Sequence, residues 1–214
     1  MVTEHTLIVQ RHARIYTFGT FSSQTEFVWL ACHGYGMLGR YFIEKFNDLD
    51  PDKHFIIVPE ALSRAYLDGL SGRVGATWMT LEDREHEIID YINYLNQVLQ
   101  SFSIEEHHKI IGFGFSQGVS TITRWANVFP GKIHRLCLWA GSLGNELLEK
   151  NNLSDIPATL IIGSKDQFIT PENKEAFKEK VLTAGLKFNI VEYDGDHSVD
   201  KNTLMQWVEV NFKF

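Results

Sequence analysis

Apolar residues are distributed along this chain with two distinct periods. Short, nearly unbroken runs recur at residues 27–32 (Phe-Val-Trp-Leu-Ala-Cys), 55–58, 110–115, 135–140 and 158–162, and a further strand-like stretch lies at 188–193. Between them, apolar residues recur every three or four positions: Leu38, Tyr41, Phe42 and Phe46; Ile88, Tyr91, Ile92, Leu95, Val98 and Leu99 within about 82–100; Val119, Ile122, Ala126 and Phe129; and two further stretches at 171–184 and 200–212. Runs apolar on both faces predict strands covered from both sides, hence parallel strands joined by helical crossovers. The pattern predicts an α/β fold with a mostly parallel sheet of about eight strands and helices on both faces. Two alternating stretches at the start, 6–10 and 14–18, predict an antiparallel hairpin. The longest stretch lacking clear periodicity, 59–81, carries Gly69, Gly72 and Gly75 and is too short for a second domain. Residues 1–214 therefore read as one domain, and a loop of that length often carries function.

Composition narrows the class. Twenty Lys and Arg stand against 27 Asp and Glu, a net charge of −7, and no basic stripe is present to neutralise phosphates, so nucleic-acid binding is not expected. The start of the chain lacks a basic-then-apolar leader and no 18-residue apolar run follows, which predicts a cytoplasmic protein without integral membrane association. Cys32 and Cys137 both fall in strand-like runs and read as free core thiols of a reduced compartment. Neither has a partner at Cys-x-x-Cys spacing, and Glu85-His86-Glu87 and Glu105-Glu106-His107-His108 lack the spacing of a zinc helix, so no metal site is expected.

The most specific motif is Gly114-Phe115-Ser116-Gln117-Gly118, directly after a strand run and directly before a helical pattern. A serine on so sharp a strand-to-helix turn has its hydroxyl raised above the sheet edge, and the flanking glycines remove side chains that would clash. A serine hydroxyl needs a base, and the base needs an orienting acid. In such a sheet both partners lie beyond the C-terminal ends of later strands, in the order serine, acid, histidine. Asp166 follows the strand run at 158–162, whereas Asp155 precedes it. His197 follows the last strand, and the other eight histidines all precede Asp166. Asp194 and Asp196 could reinforce His197. One oxyanion donor is expected at the amide of Gln117, and the other at Tyr35 in the turn His33-Gly34-Tyr35-Gly36. Leu38, Trp78, Met79 and Phe168 are candidates for an acyl wall, with core packing as their alternative.

These motifs together resemble the phospholipase/carboxylesterase family of α/β-hydrolases, which includes acyl-protein thioesterases. The likeness spans roughly residues 26–212. It implies hydrolysis of carboxylic esters or thioesters without cofactor, with Ser116, Asp166 and His197 as triad, the amides of Tyr35 and Gln117 as oxyanion donors, and an ester of a small molecule or acyl group as substrate. The chain departs from the family pattern in four places. Family members usually carry Leu where Tyr35 stands, Gly-Asp where Gly36-Met37 stands, Trp-Phe-Asp where Trp78-Met79-Thr80 stands, and often a second glycine where Val119 stands. Only about 16 residues follow the strand ending near Ala140 before the next one, so no large lid is expected. Oligomeric state is not legible.

Two other readings remain. Gly34-x-Gly36-x-x-Gly39 has the form of a dinucleotide-binding turn, with Glu60 ending the next strand; an NAD(P)-binding oxidoreductase would leave Ser116, Asp166 and His197 unexplained. A non-catalytic binding protein on the same fold is the third reading.

Overall fold

The computed structural model describes residues 1–129, 131–149, 152–186 and 188–212. Its strands are β1 (Ile15–Phe18), β2 (Phe27–Cys32), β3 (His54–Pro59), β4 (Ser63–Tyr66), β5 (Val74–Thr77), β6 (Lys109–Phe115), β7 (Ile133–Trp139), β8 (Ala158–Gly163) and β9 (Phe188–Tyr193). Its helices are α1 (Gly39–Phe42), continued by a 3-10 turn at Ile43–Phe46, then α2 (Arg84–Gln100), α3 (Gln117–Val128), α4 (Asn145–Glu149), α5 (Pro171–Thr183) and α6 (Lys201–Asn211). Seven strands make the main sheet in the order β1-β3-β2-β6-β7-β8-β9, and β4 and β5 form a separate antiparallel pair. All pairings in the main sheet are parallel except β1 with β3.

The period-2 geometry of a strand explains the unbroken apolar runs. Along β2, Val28, Leu30 and Cys32 face one core with α2 and α3, while Phe27, Trp29 and Ala31 face a second core with α1 and α6. β7 divides in the same way, Leu136 and Leu138 to the first core and Cys137 and Trp139 to the second. β9, at the sheet edge, has no fully buried position: Phe188, Ile190 and Tyr193 are half-buried, and Asn189, Val191 and Glu192 are exposed. Both cysteines are free and buried, and burial pushes both thiols up. No helix among the described residues is long and apolar enough to cross a membrane.

Two expectations are corrected. Residues 6–10 form no strand, and Leu7, Ile8 and Val9 are exposed. β1 pairs with β3 instead, Ile15 opposite Pro59 and Phe18 opposite Ile56. Both stretches alternate, but only β1 lays its alternate residues, Tyr16 and Phe18, against a core; alternation without a surface to bury fixes no pairing. The aperiodic stretch 59–81 is the β4–β5 hairpin, which folds back over the turn after β2 through Gly36 N–H to Ala76 O at 2.9 Å and Ala76 N–H to Met37 O at 3.1 Å.

His54 makes the second core sensitive to acid. Its ring stacks on Phe27, and its Nδ1 accepts a hydrogen bond from Trp29 Nε1 at 3.0 Å. Burial pushes its pKa down from 6.5 to about 4, against the opposing pull of Asp50. The unfolded chain takes up this proton first, so the contribution of a neutral His54 is complete above pH ~6.5 and is lost as pH falls toward 4. An NMR titration of the His54 ring should give a midpoint near 4 with the protein still folded; a midpoint near 6.5 would contradict this burial.

Candidate active site

The C-terminal ends of β2, β6 and β7 lie side by side, Cys32 beside Gly114 and Gly114 beside Leu138, and those of β8 and β9 meet at Gly163 and Tyr193. Every residue of the site grows from this edge.

Ser116 sits between β6 and α3 at φ 53°, ψ −116°, a region costly for a residue with a Cβ, by about 1–3 kcal/mol. The surroundings hold it there: its N–H donates to Trp139 O at 2.8 Å and its carbonyl accepts from Val119 N at 3.0 Å. Space is the reason for the flanking glycines. A Cβ at Gly114 would lie 2.4 Å from Gly118 O, and one at Gly118 would lie 2.0 Å from Cys32 O.

Asp166 and His197 come from loops that are stitched together. Ser164 N–H donates to Tyr193 O, and Lys165 N–H to Gly195 O, each at 2.8 Å. The Tyr193 hydroxyl closes the base loop on the Asp196 and Ser198 carbonyls. The outcome is a continuous line of polar atoms: Asp166 Oδ2 to His197 Nδ1 at 2.7 Å, and His197 Nε2 to Ser116 Oγ at 3.0 Å. An ionised carboxylate only accepts, so a neutral ring facing it donates from Nδ1 and presents Nε2 as acceptor to the serine hydroxyl. The Asp166 side chain has no exposed surface, and its Oδ1 accepts from Phe168 N at 2.9 Å. Phe115 and Phe168 flank the imidazole, with ring centroids 5.0 and 4.7 Å away.

Asp194 turns outward to Lys165 at 2.6 Å, and that contact lowers its pKa. Asp196 is exposed, and Asp155 lies before β8 at the opposite edge of the sheet.

The amides of Tyr35 and Gln117 have no protein acceptor among the described residues. Gln117 opens α3, where first-turn N–H groups lack intrahelical partners. His33 fixes the Tyr35 peptide from behind: its Nδ1 lies 2.7 Å from Gly34 O, the oxygen of the peptide that carries the Tyr35 N–H, and its Nε2 accepts from Ala61 N at 3.0 Å. Burial pushes the His33 pKa down, which keeps the neutral ring that both contacts need.

Two glycines of the dinucleotide-like turn are otherwise engaged. Gly36 N–H is taken by Ala76 O, and Gly39 N–H by Glu60 Oε2 at 3.1 Å. Glu60 is buried and paired with Arg14 and Arg64, and α1 is four residues long. Two of the three glycine amides of that turn are thus already bonded within the chain.

A cavity of about 700 Å³ opens beside Ser116 and His197. Leu143, Leu148, Leu160, Ile162, Ile169 and Phe177 make it apolar, and Ser142, Asn145, Asn173 and Lys174 add polar groups. Tyr35 and Phe168, 66% and 65% exposed, also line it. Of the four candidate wall residues only Phe168 does so. Leu38 and Trp78 are buried in the first core, and Met79 packs against that core beside Arg124. The rest of the cavity lining comes mainly from α4, α5 and β8, which sequence reasoning did not single out. Glu146 on α4 pairs with the buried Arg124 of α3 and with Arg84 of α2, fastening that small helix beside the cavity.

The chain matches the phospholipase/carboxylesterase family model over residues 22–210. No curated protein sequence matches it. Among solved structures it is similar to esterase PE8, at TM-score 0.67 and 21% identity over 94% of this chain and 99% of that one. Zea mays acyl-protein thioesterase 2 gives TM-score 0.66 and 18% identity over 94% and 99% of the two chains. A Bacillus cereus carboxylesterase gives 0.66 and 14% over 94% and 95%.

Proposed function

The chain belongs to the phospholipase/carboxylesterase family, and we propose that it is a single-domain serine esterase that cleaves carboxylic esters or thioesters through an acyl-enzyme. The observation that carries this reading is the unbroken line from Asp166 through His197 to Ser116, with contacts of 2.7 and 3.0 Å. Ser116 Oγ attacks the carbonyl carbon while His197 Nε2 takes the hydroxyl proton. Negative charge gathers on the former carbonyl oxygen, where the Tyr35 and Gln117 amides donate; one such donor is typically worth about 3–4 kcal/mol. The intermediate collapses, His197 returns the proton to the departing alcohol or thiol, and the acyl group stays on Ser116. Water then enters through the same base and releases the acid. Asp166 holds the ring and stabilises the imidazolium formed in each half.

The apolar cavity between α4 and α5 seats the acyl group, and the leaving group departs past Tyr35. The solved relatives named for ester and thioester cleavage support either leaving atom. No step draws on a cofactor, and the two buried free thiols fit a reducing compartment.

A fluorophosphonate tests this directly. It should label one residue, located by mass spectrometry at Ser116, and the labelled protein should lose hydrolysis of p-nitrophenyl acetate in proportion. Labelling elsewhere, or none, rejects the scheme.

A further inference from the structure

The mechanism uses only the backbone amide of Gln117, which any residue could supply. Its side chain is nevertheless fully engaged. Gln117 Oε1 accepts from Trp78 N at 3.1 Å, and Nε2 donates to Met79 O at 2.8 Å and to Thr77 Oγ1 at 3.1 Å. The Thr77 hydroxyl in turn donates to Met79 O at 3.0 Å. One planar carboxamide thus meets both an N–H and a C=O at the end of β5, a pairing that requires a donor and an acceptor on the same fork.

The same strand end holds the other oxyanion peptide. Ala76 exchanges two backbone hydrogen bonds with Gly36 and Met37, and Trp78 Nε1 donates to His33 O at 2.8 Å. The approach is backbone to backbone, since a Cβ on Gly75 would lie 2.6 Å from Gly36 O. Residues 75–79 therefore touch both donor peptides: the turn carrying Tyr35 on one side and the residue carrying the second amide on the other.

We propose that the Gln117 carboxamide is a positioning residue, which through the β4–β5 hairpin fixes the spacing of the Tyr35 and Gln117 amides. The inference rests on the serine-esterase reading above. Oxyanion stabilisation is geometric: donors must wait about 2.7–3.1 Å from where the charge develops, and it is their preorganisation that lowers the barrier. Without the clamp the two peptides stay linked through the β2–β6 pairing, but each is free to shift by fractions of an ångström. Misplacement by about 1 Å can cost 10²-fold in rate. Glutamate would keep the acceptor for Trp78 and lose the donor for Met79, and leucine would lose both.

The test compares Gln117→Leu, Gln117→Glu and Thr77→Val with the unaltered protein. Steady-state kinetics on p-nitrophenyl acetate are read beside the inhibition constant of a phenylboronic acid, whose adduct with a nucleophilic serine presents a tetrahedral oxyanion. For Gln117→Leu, kcat should fall about 10–100-fold, less than the ~10²–10³-fold loss on removing an oxyanion donor outright, with KM within about twofold. Boronate affinity should fall by the same factor as kcat/KM. Gln117→Glu and Thr77→Val should show the same split with smaller losses, and they carry the test if Gln117→Leu does not fold. Variants that lose thermal stability but keep kcat and boronate affinity overturn the proposal, as does a change confined to KM. An unaltered protein that neither turns over ester nor reacts at Ser116 defeats the parent reading instead.

Discussion

Ser116→Ala should lower kcat for p-nitrophenyl acetate by about 10⁶-fold, the loss typical of removing a triad serine nucleophile. The change deletes one oxygen whose hydrogen bond runs to His197 Nε2. The backbone at this position is held by Trp139 O and Val119 N, and neither contact involves the hydroxyl. Alanine keeps a Cβ at φ 53°, so the turn retains its strain, and stability should change by no more than about 1 kcal/mol. A residual rate well above the uncatalysed one is expected, because the oxyanion amides and the cavity remain. Thermal unfolding and steady-state kinetics on the same sample separate the two effects. Turnover within tenfold of the unaltered protein would remove Ser116 from the chemistry.

The features that were legible in the sequence are those fixed by chain order and local sterics. The elbow announces itself because its glycines are needed where Gly118 lies against Cys32 O. The order serine, acid, histidine selects Asp166 and His197 because parallel strands deliver their C-terminal ends to one rim. What stayed hidden depends on tertiary partners. Residues 6–10 and 14–18 alternate alike, yet only Tyr16 and Phe18 find a core to cover. Leu38 and Trp78 are apolar in the way a pocket wall is apolar, and no local pattern separates a side chain facing a cavity from one facing the core. The cavity beside Ser116 is lined from α4, α5 and β8, three elements that converge only in space. The side chain of Gln117 was equally opaque: its partners lie 38 to 40 residues earlier, on a hairpin that reads as an aperiodic loop.

Stitching of the acid and base loops gives the strongest demand on a single side-chain atom. Asp166→Asn should lower kcat by about 10⁴-fold while leaving the fold intact, the loss known for a triad aspartate replaced in this way. The reason lies in the two oxygens of Asp166. Oδ1 accepts the Phe168 N–H at 2.9 Å, and Oδ2 faces His197 Nδ1 at 2.7 Å. In the amide only one atom is an acceptor, and the Phe168 N–H claims it because the site is buried and a facing pair of donors would leave both unsatisfied. The NH₂ group is then turned toward His197, where it requires Nδ1 to be the bare nitrogen. The ring proton moves to Nε2, which now points a donor at Ser116 Oγ and cannot take its proton. Substrate binding has no part in this switch, so KM should stay close to that of the unaltered protein. Nitrogen-15 shifts of His197 should report the change of tautomer independently of the rate. A variant with ordinary turnover would show that the ring needs no carboxylate at this position; one with the lost rate but the original tautomer would assign the effect to charge, not orientation.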